Sequence, residues 1–283
     1  MIVRRIVESL KNQHWTSVLI ELAIVVLGVF IGLQVDNWNQ ARGERAAETG
    51  YLSGLREDVD YSIDKLHSLI VFMDRQQLAR EKLYAFATDP AMQLEPAVRD
   101  QLVLQGLFLL PMIDISEVTF ETLKSSGRLS VIRSPKLVSQ LQSLSAAAAG
   151  ARRLQADEIQ VTYLFSDPLL VANLDMGNVF QQPNLTGRPN IAWLHARPGA
   201  TPTPTPAIMK SREFANVLLY RSFFTEARRA SVRGMLEQHK RIAALIQVRQ
   251  AELGVAPVIS ARQVKIDPSG TRASRPAWPA NSQ

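Results

Sequence analysis

An all-α fold is what the sequence predicts, and three observations predict it. Apolar residues recur at three- and four-residue spacing through most of the chain, alternating β-type runs are scarce, and proline-bearing breaks divide the periodic stretches. The expected architecture is one N-terminal transmembrane helix followed by an antiparallel bundle of about five helices with a long irregular loop.

The first element is the apolar segment between Trp15 and Trp38. As a helix it spans about 35 Å at roughly 1.5 Å per residue, slightly more than a hydrocarbon core of about 30 Å, and tryptophans favour both interfaces. Its uninterrupted run, Leu22 to Leu33, matches a signal-peptide core in length. Val18, Leu19 and Ile20 extend it at the cost of enclosing Glu21. A carboxylate costs roughly 2.5–3.5 kcal/mol at the bilayer centre, so Glu21 is expected to reach up to the headgroups near Trp15. Gln34 to Trp38 offers no small-x-small cleavage site, and an uncleaved anchor is the resulting expectation. The short tail 1–14 carries Arg4, Arg5 and Lys11 against Glu8, which favours a cytoplasmic N-terminus and an extracytoplasmic domain.

One face of this anchor is unusual. Gly28 and Gly32 form a GxxxG, which lets two helices approach closely in lipid. At about 100° per residue Glu21 and Asn39 share that stripe, with Val25 and Val35 at its margins. The bilayer itself is one expected partner; the stripe reads either as a homodimer seam through Glu21, Gly28, Gly32 and Asn39 or as a chance match, since glycine is common in membrane helices.

Beyond the membrane, Leu52 begins a heptad-like series at 55, 59, 62, 66, 69 and 73, interrupted only by Ser62. The helix is expected to continue from the anchor as a stalk and to end near Thr88-Asp89-Pro90. Its stripe packs either within its own domain or against a second chain. Glu95-Pro96 opens a second helix that Pro111 stops, and Ser116 opens a third that closes at Gly127. Ser134-Pro135 reads as an N-cap with proline in the first turn of a fourth helix running to about Phe165. Residues 166–207 hold several prolines and glycines and the run TPTPTP. They read as an irregular connection whose apolar members (Leu169, Leu170, Val171, Phe180, Trp193) dock its first half, and as the candidate for partner recognition. The last helix, Ser211 to Leu253, carries apolar Phe214, Leu218, Val232, Met235, Ile242, Ile246 and Leu253 and closes at Gly254. Residues 255–283 read as a poorly ordered tail. The domain plan is therefore a tail 1–14, an anchor 15–38, a helical domain 39–254 and that last segment.

The run ELAIVVLGVFIGLQVDNWNQARGER, followed by YLSGLREDVD, resembles the opening of a bacterial group known as domain-of-unknown-function family 6090. Gly32, Leu33, Gln34, Val35, Asp36, Asn37, Trp38 and Asn39 fill that family's G-(I/L)-x-Q-x-N-N-W-N motif, with Asp36 at a commoner asparagine. FETLKSSGRLSVI, Phe120 to Ile132, is similar to its midchain segment. The resemblance implies a membrane-anchored, largely helical bacterial protein and brings no established activity and no catalytic residue.

Composition and motifs narrow the function classes. The chain has 283 residues, 46% of them hydrophobic, which suits a packed core. It has no cysteine, which removes disulfides, thiol nucleophiles and thiolate metal sites. A net charge of +6 is scattered rather than clustered, and with no nucleic-acid motif no nucleic-acid partner is expected. No Walker loop, GxGxxG, HExxH or GxSxG occurs, and no cofactor or metal is implied. His14, His67, His195 and His239 show no ligand spacing, and His239 falls on the last helix's stripe as a structural histidine would. Ser62 and Lys65 spell the S-x-x-K of serine acylases without its other elements. Asn184 to Thr186 spells a sequon, and Ser125 to Gly127 an ordinary capping turn. The leading expectation is a non-enzymatic, single-pass protein of a bacterial inner membrane, its domain periplasmic, acting on an unidentified protein partner. An extracytoplasmic sensor or ligand-binding module, and an enzyme with an unfamiliar site, are the alternatives.

Overall fold

The computed structural model describes residues 15–180 and 205–255, with side chains from Ile20 onward. Among these residues the chain is all-α. Helix α1, Trp15–Thr88, runs 74 residues without a break, joining the apolar N-terminal segment to the bundle. It is long and apolar enough at its N-terminal end to cross a membrane. α2 is Pro96–Val103, α3 Val118–Ser125, α4 Pro135–Val161, α5 Asp167–Asn173, α6 Met176–Phe180 and α7 Arg212–Glu252. The three long helices make the body: α4 rises alongside α1, away from the anchor, and α7 returns antiparallel to both. The short helices close its sides and far end. The tail 1–14, Asn184 to Thr186, Trp193, His195, most of TPTPTP and the tail beyond Val255 lie outside the described residues.

Local chemistry accounts for the boundaries. Ser134 Oγ accepts the Leu137 amide to cap α4, and Ser211 Oγ accepts the Phe214 amide to cap α7. Gly127 and Gly254 take φ of 68° and 72° just past α3 and α7, a conformation that favours glycine. At Gly127 the Arg128 amide reaches back to Leu123 O at 2.9 Å, so the SSG run is a helix-closing turn.

The stripe of α1 is spent inside its own chain. Leu52, Leu55 and Val59 pack with Phe120, Leu123, Leu137, Leu141, Ile242 and Ile246. Leu66, Leu69 and Met73 pack with Ala148, Ala151, Val232 and Met235. Each buried leucine contributes roughly 1.5–3 kcal/mol, so the same stripe is not free to form a coiled coil with a second chain. A third cluster at the far end joins Leu83, Phe86, Leu107, Leu170, Val179, Phe214 and Leu218.

Several elements differ from the sequence reading. α2 ends at Val103 and passes into a π-helical turn, 104–108, before the chain extends towards Pro111. Gln76 Nε2 there donates to Gln105 O at 3.2 Å and Leu109 O at 2.5 Å, holding the departing backbone. Ser116 does not cap α3. Its amide donates to Ser62 Oγ and its hydroxyl to Asp58, whose other carboxylate oxygen accepts the Thr119 amide at 2.8 Å. Capping thus comes from a carboxylate remote in sequence. The fourth helix does not stop at Phe165: a π-helical turn, 162–166, carries it into α5 with Pro168 in the first turn. A wider turn spares the proline ring its clash with the preceding helical carbonyl. Residues 167–173 and 176–180 are therefore helical rather than irregular. Leu170 docks as expected, but Val171 points to solvent, and Leu253 is only half-buried.

Candidate functional site

The apolar N-terminal segment comes first. α1 exposes every residue from Ile20 to Gln40, including Glu21, Gly28, Gly32, Gln34, Asn37, Trp38 and Asn39. A Cβ added at Gly28, Gly32, Gly43 or Gly50 meets nothing within 4 Å, whereas one at Gly54 would crowd Thr119. Turning about 100° per residue, Glu21, Gly28, Gly32 and Asn39 lie within about 40° of one another. The buried Leu52, Leu55 and Val59 lie roughly opposite, so the glycine face looks away from the bundle. Trp38 carries the Arg42 guanidinium 5.9 Å from its ring centroid.

Two features far from the anchor were not legible as motifs, and both gather around the π-helical turn 162–166. The first is an open apolar groove of about 770 Å³ between that turn, α5 and α7. Phe165, Pro168 and Leu169 form one wall, and Val217, Tyr220 and Phe223 the other, with Glu213 at its rim. Phe165 and Tyr220 meet edge-on at 5.8 Å, and Tyr220 meets Phe224 at 5.1 Å. Phe223 is 69% exposed and Phe165 52%. Pro168 and Leu169 bring the start of the 166–207 segment into this groove.

The second feature lies on the inner side of the same helices, between the middle and far apolar clusters. Arg80 of α1 and Arg221 and Arg228 of α7 are at most 1% exposed and surround Glu158 of α4. Arg228 Nε lies 2.7 Å from Glu158 Oε2, Arg221 Nη2 3.8 Å from Oε1, and Thr225 Oγ1 donates to Oε1 at 2.5 Å. Each guanidinium is also held by one nitrogen on a backbone carbonyl: Arg80 on Gly106 (3.0 Å), Arg221 on Glu158 (3.2 Å) and Arg228 on Pro111 (2.6 Å). Burial, then the charge of Arg221, pulls Arg80 down to about 10. Burial lowers Arg221 and Arg228 as well, against the opposing pull of Glu158. Asp167, at the end of the π-helical turn, is raised by burial despite the nearby Arg221. The sequence signal for this layer is a set of polar residues at stripe positions: Gln76 and Arg80 continue the α1 register, and Arg221, Thr225 and Arg228 interrupt that of α7.

The remaining sequence candidates have structural partners. His239 is buried, its Nδ1 2.8 Å from Met235 O, and burial lowers its pKa. Ser62 Oγ donates to Asp58 O, while the exposed Lys65 pairs with Asp114 at 3.1 Å, so the S-x-x-K pair does not converge. No group of three or more potential metal ligands occurs among the described residues. No family model matches the chain, and no curated protein or solved structure does either.

Proposed function

We propose that the chain is a non-enzymatic, single-pass protein of a bacterial inner membrane, its N-terminus cytoplasmic and its helical domain periplasmic, that holds a protein partner well above the bilayer. The single observation that carries this reading is the apolar groove. Its contiguous aromatic lining is exposed to water, and such patches mark interaction surfaces. At about 1.5 Å per residue along α1, the level of Arg80 lies about 60 Å beyond Trp38, out of reach of the headgroups.

One kind of occupant fits: a partner helix with an apolar face and a basic residue to meet Glu213. Glu213 has no ion-pair partner among the described residues, and a helix lying in a groove uses such anchors. The anchor belongs to the same proposal. A homodimer through Glu21, Gly28, Gly32 and Asn39 pairs the two α1 helices back to back, because that face looks away from the bundle. The grooves, built by the turn 162–166, α5 and α7, stay clear of the pair.

The test is photocrosslinking of the full-length chain in membranes, with the reactive group at Phe223 or, as control, at the exposed Lys82 of α1. A discrete adduct from 223 that is lost on adding Glu213→Lys supports the reading. Identical patterns from 223 and 82 refute it. Separately, Gly28→Leu/Gly32→Leu is expected to abolish a self-crosslink placed near Trp38, and an unchanged self-crosslink removes the dimer.

A further inference from the structure

We propose that the buried arginine layer is a binding site for a small tetrahedral oxyanion of the phosphate or sulfate class. It rests on the bundle interior and is independent of the groove and of any docking partner.

The first argument is charge. Arg80, Arg221 and Arg228 bring three guanidinium charges into the interior, and among the described residues Glu158 is the one carboxylate buried with them. Asp167 adds at most one more at the margin, so positive charge is in excess. Burying an ion costs several kcal/mol unless a counter-charge meets it. Among the described residues Arg80 has no carboxylate within ion-pair distance, although it is among the largest fully buried side chains.

The second argument is geometry. Each guanidinium is fixed by one nitrogen to a carbonyl, and each has buried N–H groups left over beside the same carboxylate. Arg80 Nε and Nη2, Arg221 Nε and Nη2 and Arg228 Nη2 are buried with no hydrogen-bond acceptor among the described residues. A guanidinium fork meets two oxygens of one oxyanion at once, and a cluster of forks meets one from several sides. Ordered water satisfies stranded N–H groups but brings no charge. The bundle walls enclose the cluster, which selects a free ion over the same group tethered to a lipid. Ser166 Oγ and Asp167 Oδ1, also buried and unpartnered among the described residues, lie at the π-helical turn beside Arg221, and that turn is the proposed route of entry for the ion.

The experiment uses the full-length chain in detergent. Thermal unfolding is followed against added phosphate, sulfate or chloride at constant ionic strength, and phosphate bound at equilibrium is counted by dialysis. The expected result is a saturable rise in Tm with phosphate or sulfate but not chloride, at one ion per chain. Arg80→Met is expected to lose both the rise and the bound ion, and Arg153→Ala, an exposed arginine, to keep them. Glu158→Gln, which removes the competing carboxylate, is expected to enlarge the rise. Should Arg80→Met not fold, the Glu158→Gln and dialysis results decide. A Tm that ignores phosphate, a rise matched by chloride, or a rise unchanged in Arg80→Met overturns the proposal. So does dialysis that finds no bound ion.

Discussion

Replacing Glu158 with glutamine keeps the shape of the side chain and removes the only carboxylate that the described residues bury among three guanidinium groups. The change deletes the 2.7 Å ion pair with Arg228 and the longer contact with Arg221, while Thr225 keeps an oxygen to donate to. Breaking a buried pair by removing one partner costs about 3–5 kcal/mol, chiefly because the other charge is left uncompensated. For a domain of this size that corresponds to a fall in Tm of about 6–20 °C. The assay is urea unfolding of the full-length chain in detergent, in chloride buffer, followed by far-ultraviolet circular dichroism. Arg228→Met removes one excess charge and fills its space, so it is expected to cost less. The double variant is expected to recover part of the Glu158→Gln loss, because the repulsion that glutamine unmasks is reduced. A Glu158→Gln loss below about 1 kcal/mol, the value of an exposed pair, refutes the reasoning.

Two further expectations concern the ends of the bundle. Glu48 is buried, receives Arg249 Nε and Nη2 at 2.9 Å each and accepts the Arg133 amide at 2.8 Å. Burial alone would raise its pKa, but these partners outweigh it and hold the group below its ordinary 4.5. The unfolded chain therefore binds the proton first: the contribution is fully present above about pH 4.5 and is lost as pH falls through the lower folded value. The Tm gap between wild type and Glu48→Gln is expected to be flat near neutrality and to shrink below about pH 4.5. A gap independent of pH contradicts this. At the opposite end Lys210 Nζ donates to Phe86 O, Asp89 O and Met92 O at 2.7, 2.8 and 2.9 Å and lies 3.9 Å from the Phe86 ring centroid. Lys210→Met is expected to cost about 1–3 kcal/mol and to speed amide exchange over 86–92, and Lys210→Arg not to restore it, since a planar fork does not fit three converging carbonyls. Exchange unchanged in Lys210→Met counts against this cap.

Much of the fold was legible because its signals are local. Pro96, Pro135, Ser134, Ser211, Gly127 and Gly254 act on their own neighbouring backbone, so the starts of α2, α4 and α7 and the ends of α3 and α7 could be read from spelling alone. The heptad-like stripe of α1 was equally plain, since its period is a property of one helix. The end of α2 and the start of α3 were misplaced for the converse reason. Gln76 and Asp58, both on α1, hold backbone remote from them in sequence. The groove and the arginine layer escaped for the same reason: single charged or aromatic residues on α1, α4 and α7 gain meaning only when the bundle brings them to one level.

By itself, then, the sequence determined the helical class, an apolar segment of membrane-spanning length with a glycine face, and most caps, because periodicity and capping depend on residues within a few positions of one another. Only the tertiary structure decided that the α1 stripe is buried within the chain, that Phe165, Tyr220 and Phe223 share an open groove, and that Arg80, Arg221 and Arg228 converge on Glu158. Those outcomes depend on how three long helices align, and that alignment is set by the summed packing of residues far apart in the chain rather than by any local run.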